Sequence, residues 1–338
     1  MYGCSSLRTL VGNFMIVGNR VFQNCNSLLI NSDTRYAGVD YTSTYIPGNF
    51  CNITFYDGLS SYSEMFSGCS SISGQDFRYI MDKVKPAVTD LSKMFQGCLN
   101  AKAELWNDMF SKCPYVRNLT SFCDGAGVRG SFYSTKGDKR GLLSYLTEVE
   151  NISLAFSNSG IDWIDDDAFK DCSTIEEADS VFMGCYNLKS CEDTYNPSLG
   201  YLHSKTFFTN LSGLIDVFPE RMFYQCSSVY MLIDSEELPN GVMFDYLFHY
   251  DKDRLYNGIT LTDSLYSGIN LVGEIHANVF GGIVNTDGEY NIPNFRIISN
   301  PFIGSGTQLR AKLNELGDLF KNLSPTSLVG TLQGINFY

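Results

Sequence analysis

Four groups of residues have the types and spacing that chemistry needs. GAGVRG, from Gly125 to Gly130, matches G-x-G-x-x-G. In a dinucleotide site that turn follows a buried strand and opens a helix, with an acid about 20 residues on. Here SFCD precedes it and SFYSTKGDKR follows, which starts no helix, so the reading is a flexible loop and no cofactor. Asp165, Asp166 and Asp167, with Asp162 and Asp171 close by, offer hard oxygen ligands for a cation. Their spacing fits no calcium loop; they are expected to cap and solvate a turn, with no metal. His203, His249 and His276 are far apart, without a recurring acidic or Cys partner, and no GxSxG nucleophile elbow is present. The fourth group is the cysteines, 11 in number with no CxxC pair.

The cysteines are explained by what surrounds them. Eight fall in one recurring phrase: an apolar residue, Phe or Tyr, two small or polar residues, Cys, two more, then an aliphatic. It runs as MYGCSSL from Met1, VFQNCNSL from Val21, MFSGCSSI from Met65, MFQGCLNA from Met94 and MFSKCPYV from Met109. Further copies are AFKDCSTI from Ala168, VFMGCYNL from Val181 and MFYQCSSV from Met222. Degenerate copies keep the aromatic and place Gly125, Ser159, Ile269, Ile283 and Leu323 where the others have Cys. A slot that accepts all of these serves no metal, nucleophilic or obligatory disulfide role. It reads as a buried position in which free Cys acts as a compact hydrophobe. Cys51, Cys123 and Cys191 lie outside the phrase; Cys185 and Cys191 are near enough to pair, but free thiols throughout are expected.

Eight copies make the repeat the unit of structure. The aromatic anchors are 13 to 15 residues apart in places (Phe95 to Phe110, Phe156 to Phe169) and 20 or more in others (Tyr2 to Phe22). Leucine-rich coils need about 20–29 residues, so some anchors should belong to two faces of one coil. Ser, Asn and Gly beside the Cys supply turn chemistry. Between phrases, Val116–Thr120, Val229–Ile233 and Gly258–Thr262 carry the branched and aromatic residues of short strands. The fold class expected is a β-rich repeat solenoid, leucine-rich-repeat-like, with short parallel strands, turns or short helices, and irregular coil lengths.

MFSGCSSI, MFYQCSSV, VFMGCYNL and AFKDCSTI resemble the BspA-like leucine-rich repeats of bacterial surface proteins, also found in some protists and phages. The resemblance covers most of the chain. It implies a right-handed solenoid used for adhesion and for binding protein or glycan, with no catalytic residues to carry over. Two departures stand out: the intervals are less regular than in that family, and the wording decays after Val229. Uneven coils suit a surface fitted to one neighbour within an assembly.

Composition narrows the rest. With 14% aromatic and 18% charged residues the chain is an ordered, well-packed protein. A formal charge of −13 removes the basic stripe that nucleic acid requires. No apolar run approaches a membrane span, and the opening MYGCSSLRTLVGNF has no signal-peptide pattern. Since Met1 already lies in a repeat phrase and no polar capping coil precedes it, the chain is expected to be a piece of a longer protein. Sequons at Asn52, Asn118, Asn151, Asn210 and Asn322 are partly by-products of the Asn-Leu/Ile-Ser/Thr wording of the repeat.

Residues 1–300 are expected to form the solenoid, with loops inserted near 33–48 and 124–141. Residues 301–338 should close it, with one amphipathic helix from Leu309 to Asn322. Exposed aromatics carry the functional expectation: Tyr36, Tyr41 and Tyr45 in the first loop, and Tyr246, Tyr250 and Tyr256 in an irregular later stretch. Arg129 and Tyr133 join them from the Gly-rich loop. The function expected is a non-enzymatic interaction or adhesion protein meeting a protein or glycan partner at a cell surface or on a virion. The alternative is a structural subunit of an assembly such as a phage virion, beside its neighbours. A glycan-processing enzyme comes third, because no paired carboxylates recur in register.

Overall fold

The repeat phrase folds as a tight turn whose shape is set by two left-handed backbone positions. One precedes the apolar residue: Arg20, Glu64, Lys93, Ser121, Leu154, Ser180 and Arg221 have φ of 53–59°. The other precedes the Cys slot: Gly3, Asn24, Gly68, Gly97, Gly125, Asn158, Gly184 and Gln225 have φ of 51–75°. A non-glycine residue there costs roughly 1–2 kcal/mol. In return its N–H turns out of its own phrase and reaches the next one. The computed structural model describes residues 1–8, 10, 12–30, 51–214, 219–237, 243–246 and 268–276, with strands at 259–261, 283–284, 290–291, 295–297, 308–311 and 335–337.

Those N–H groups form a ladder. Asn24 donates to Ser67 O (2.7 Å), Gly68 to Gln96 O (2.7 Å), Gly97 to Asp124 O (2.8 Å), Gly125 to Ser157 O (3.0 Å), Asn158 to Met183 O (2.7 Å) and Gly184 to Tyr224 O (2.8 Å). The aromatic slot adds a second set: Phe22 to Met65 O, Phe66 to Met94 O, Phe95 to Phe122 O, Cys123 to Ala155 O, Phe156 to Val181 O and Phe182 to Met222 O. Ahead of each turn, isolated parallel bridges link Ser61, Asp90, Asn118, Asn151 and Glu177. Asn118 Oδ1 accepts from Thr120 N, and Asn151 Oδ1 from Ser153 N. Two of the sequons are thus the capping residues of this ladder. A Cβ on Gly68 would stand 2.3 Å from Asn24 Oδ1, and on Gly184 2.4 Å from Asn158 Oδ1. No side chain fits at either.

This pairing corrects one sequence alignment. In SFCDGAGV the aromatic Phe122 takes the apolar slot, Cys123 the aromatic slot and Ala126 the Cys slot, leaving Gly125 in the left-handed position. Ile269 likewise stands opposite Val229, in the aliphatic position. Rings of the aromatic slot stack face to face where the slot is filled: Phe22 on Phe66 (5.5 Å), Phe66 on Phe95 (5.8 Å), Phe156 on Phe182 (6.3 Å) and Phe182 on Phe223 (5.6 Å). At the Cys123 rung, Phe132 fills the space, 5.2 Å from Phe156.

The phrases at Met109 and Ala168 stay off the ladder. Phe110 and Phe169 face it from a second side, 5.5 Å from Phe122 and 6.2 Å from Phe182. Helices α1 (Gly74–Met81) and α2 (Ser204–Asn210) contribute Phe77 and Phe207 to the same side, 4.3 Å from Phe95 and 5.8 Å from Phe223. Ser73 and Asp76 cap α1 reciprocally. The core is therefore a sandwich of two aromatic columns.

Strands close the third side. In chain order they are β1 (Gly12–Ile16), β2 (Cys51–Phe55), β3 (Arg129–Ser131), β4 (Gly160–Ile164), β5 (Lys189–Ser190), β6 (Leu202–His203) and β7 (Val229–Leu232). There follow β8 (Ser235–Glu237), β9 (Met243–Asp245), β10 (Ile259–Leu261), β11 (Ile269–Glu274), β12 (Ile283–Val284), β13 (Tyr290–Asn291), β14 (Phe295–Ile297), β15 (Gln308–Ala311) and β16 (Ile335–Phe337). β3-β4-β5 and β16-β15-β11-β7-β6 are parallel sheets, as are the pairs β1-β2 and β10-β14; β8-β9 and β12-β13 are antiparallel. The protein is thus β-rich, with short, mostly parallel strands in small sheets and few helices. No helix among the described residues is long and apolar enough to cross a membrane.

Three expectations change. Gln308–Ala311 is strand β15, paired with β11 and β16, where a helix was expected from Leu309; residues 312–322 lie outside the described residues. Residues 124–141 do not project as one flexible loop: Ala126, Val128 and Phe132 are fully buried and Arg129–Ser131 pairs with β4. Apart from Arg129 on the outer strand face, only 136–140 is exposed, tied by a Lys136–Lys139 bridge. Of the strand-like runs, Val229–Ile233 and Gly258–Thr262 contain β7 and β10, whereas Val116–Thr120 contributes only the Asn118 bridge. The loop at 33–48 lies outside the described residues.

The cysteines pack as small hydrophobes with one further use. Cys69 Sγ donates to Phe22 O (2.9 Å), Cys98 to Phe66 O (3.1 Å), Cys185 to Phe156 O (3.3 Å) and Cys226 to Phe182 O (3.1 Å), each reaching back one rung. Burial pushes the Cys69, Cys113 and Cys172 thiols up to about 12. The ten cysteines other than Cys51 are all free, and among these ten only Cys4 is exposed. Peptide mapping after brief alkylation of the native protein is expected to find Cys4 modified and Cys69, Cys98, Cys185 and Cys226 intact. Rapid labelling of those four would contradict the packing.

Candidate functional groove on the strand face

Alternation along the strands decides what faces out. Ala103, Leu105, Val128, Ile161, Leu188 and Val229 are buried, so Glu104, Arg129, Asp162, Lys189 and Tyr230 lie on the outer side. Glu104 bridges Arg129, and Arg129 pairs with Gly160. Lys189 pairs with Trp163 on one side and bridges Ser228 on the other. The register shifts between Gly130 and Ser131, a bulge beside which the outer face opens. There, Glu104, Arg129, Asp162, Asn187 and Lys189, with Gly130 and Gly160 between them, line a groove of about 540 Å³. Gly130, at φ 91°, leaves room that a Cβ would take from Glu104 Cγ, 3.2 Å away. Lys189 Nζ sits 5.2 Å from the Trp163 ring centre, a cation–π contact at the edge of the groove.

The polar side chains here are uncommitted. Elsewhere several charges are paired locally: Arg117 on Glu148 (2.9 Å), Lys112 on Asp82 (3.2 Å), Lys205 on Glu236 (3.1 Å), Lys136 on Asp193. Among the described residues, Glu104, Arg129, Asp162 and Lys189 form no salt bridge and no side-chain hydrogen bond, and Asp162 Oδ1 is buried without a donor. Tyr133 adjoins them. Burial, then the nearby Glu104 and Asp162 charges, push its hydroxyl up from the usual range. Its ring lies 5.8 Å from that of Tyr195, whose hydroxyl donates to Ser134 O (2.8 Å).

No protein-family model matches the chain, and no curated protein does.

Of the residues singled out from sequence, the structure brings Arg129 and Tyr133 together at this groove. Tyr246 is elsewhere and committed: its hydroxyl donates to Glu236 (2.5 Å) and Lys205 Nζ lies 4.8 Å from its ring centre. Tyr36, Tyr41, Tyr45, Tyr250 and Tyr256 lie outside the described residues. Glu104, Asp162, Asn187, Lys189 and Trp163 escaped sequence reasoning as a set. Their one signal is the alternation of each short strand, too brief to register alone.

The other chemical groups resolve as fastenings. GAGVRG spells three left-handed glycines, Gly125, Gly127 and Gly130, and leads into β3, so no helix N-terminus awaits a phosphate. The acids after β4 part company and are not merely solvated turn caps. Asp165 is buried, accepting from Ser134 Oγ (2.7 Å) and Thr194 N (2.9 Å), and Asp166 accepts from His203 N (2.5 Å). Two histidines do have acidic partners: His203 Nδ1 meets Asp234 Oδ1 at 3.0 Å and His276 Nδ1 meets Asp245 Oδ1 at 2.7 Å. Ser235 Oγ bonds Asp245 (2.5 Å), on the acid side of that pair, which is not a nucleophile–base–acid order. His249 lies outside the described residues.

Proposed function

We propose that this chain is a non-enzymatic interaction protein, a BspA-like leucine-rich-repeat solenoid presenting its strand face to a protein or glycan partner at a cell surface or on a virion. One observation carries the reading. The outer strand face holds a groove whose four charged side chains, Glu104, Arg129, Asp162 and Lys189, form no salt bridge among the described residues, although carboxylates and cations line one space. The phrase ladder, with repeat positions Gly68, Gly97, Gly125, Asn158 and Gly184 spaced 29, 28, 33 and 26 residues apart, supports the solenoid.

The test compares the protein with a strand-face variant, Arg129→Ala/Trp163→Ala/Lys189→Ala, and with a control at exposed residues outside the groove lining, Leu99→Ser/Tyr186→Ser. Both control residues are at least 60% exposed. Immobilised proteins are probed with a glycan array and a panel of purified matrix and surface proteins. Saturable binding that falls at least tenfold in the strand-face variant alone is expected. Binding that survives in that variant sinks the reading, and so does release of reducing ends from any bound oligosaccharide.

A second reading, a subunit of a larger particle such as a phage virion, draws on Met1, Tyr2, Met15 and Val17, each at least 55% exposed near the first rung. A neighbour would cover such an edge. A monodisperse monomer in sedimentation at high concentration would count against it.

A further inference from the structure

We infer that the groove between Glu104 and Lys189 is a subsite for a neutral saccharide. This rests on the reading above and narrows its partner to one chemical class. Sugar hydroxyls each donate and accept, so they need acceptors and donors side by side. Glu104 and Asp162 accept, whereas Arg129, Lys189 and Asn187 donate, and all five line one space. Two negative and two positive side chains leave the lining formally neutral. With no net positive charge in the lining, nothing offsets the repulsion of an anionic sugar by a chain of formal charge −13. A protein anchor is a poorer fit, because hot-spot pockets are centred on apolar or aromatic walls, whereas the lining here is polar and its one aromatic, Trp163, stands at the edge.

Three further observations point the same way. Asp162 Oδ1 is buried without a donor in the protein, an unmet acceptor on a residue that lines the groove and one that a hydroxyl donor would satisfy. Trp163, part-exposed at the groove edge with Lys189 Nζ 5.2 Å from its ring centre, supplies an aromatic surface beside the polar lining. The volume, about 540 Å³, is within the range of small-molecule sites, about 300–1,000 Å³.

The test uses the full chain on an array holding neutral oligosaccharides (glucose, galactose, mannose and N-acetylhexosamine types) beside sulfated, sialylated and uronate ones, followed by calorimetry on the best neutral binder. Binding confined to neutral sugars is expected, weakened at least tenfold by Asp162→Ala and by Arg129→Ala, with Asp162→Asn retaining part of it because the amide oxygen still accepts. Thermal melts within a few degrees of the parent show that the variants fold. If a variant does not fold, saturation-transfer NMR on the parent, with and without Trp163→Phe, reports the same contact.

Preference for anionic sugars, or neutral binding indifferent to Asp162 and Arg129, overturns the inference. If the strand-face triple variant loses binding of a protein partner while no sugar binds, the inference fails and the broader reading stands. If that variant loses nothing, both fail.

Discussion

Phe182→Ala is expected to lower stability by about 3–5 kcal/mol, the usual cost of deleting a large buried aromatic. Phe182 is fully buried and meets four rings: Phe132 at 5.0 Å, Phe223 at 5.6 Å, Phe169 at 6.2 Å and Phe156 at 6.3 Å. It joins both aromatic columns, so the void cannot be closed by movement of one neighbour. Because each rung touches mainly the rungs beside it, the loss should be felt locally before it is felt globally. Hydrogen exchange should therefore rise first at Asn158 and Gly184, whose N–H groups bond Met183 O and Tyr224 O. The control is Tyr186→Ala, 65% exposed, which should stay within about 0.5 kcal/mol. A melt of Phe182→Ala indistinguishable from the control would mean the columns do not hold the rungs together.

Stability should also fall as pH rises from about 5 to 8. Burial pushes Asp76 up to about 6 and Asp166 up to about 7, and it raises Asp165. An Asp in an unfolded chain titrates near 3.9, so over the window from about 4 to about 7 the folded state holds protons that the unfolded state has lost. Raising the pH through that window therefore destabilises the folded state. His203 acts with the same sign: its bond to Asp234 raises it, and the stabilisation is lost as pH climbs through the raised value. Asp193, held low by Lys136, opposes the trend, but only under acid conditions below the usual carboxylate range. Relief of the −13 charge toward the pI of about 4.6 adds to the gain on acidification.

Asp76 is 4% exposed, and its share between pH 5 and 8 is on the order of 1 kcal/mol. Asp166 adds a comparable amount after allowance for solvent. The melting temperature is expected to be about 5 °C higher at pH 5 than at pH 8. Asp166→Asn, which keeps an acceptor for His203 N, should flatten part of the slope. A melting temperature that climbs between pH 5 and 8 would contradict the burial of these acids.

What the sequence made legible was the rung, since a phrase of eight residues carries its own turn, ring and thiol. The two-column arrangement was foreshadowed by the short Phe95-to-Phe110 interval, and the ladder's Asn118 and Asn151 by the sequon wording. Register was harder. The Phe122–Cys123 rung misaligned because both residues are hydrophobic enough for either slot, and only the hydrogen bonds choose. Strand β15 was misread because Leu309, Leu313 and Leu316 have helical spacing, whereas Gln308, Leu309 and Arg310 pair with β11. The groove was beyond sequence reasoning for a different reason. Its residues come from positions 104 to 189, and two-residue strands such as β5 carry no periodicity. The histidine pairs stayed hidden likewise: His203–Asp234 and His276–Asp245 each span 31 residues, a distance that acquires meaning only when chain segments one rung apart lie side by side.

The ladder has an evolutionary corollary. Gly3, Asn24, Gly68, Gly97, Gly125, Asn158 and Gly184 all make the same bond, although 21, 44, 29, 28, 33 and 26 residues separate successive members. Attachment is thus indifferent to how much chain runs between two attachment points. Segments between rungs can lengthen, shorten or be exchanged by recombination without disturbing the stacking, so the strand face can acquire new side chains while the scaffold that carries it stays the same.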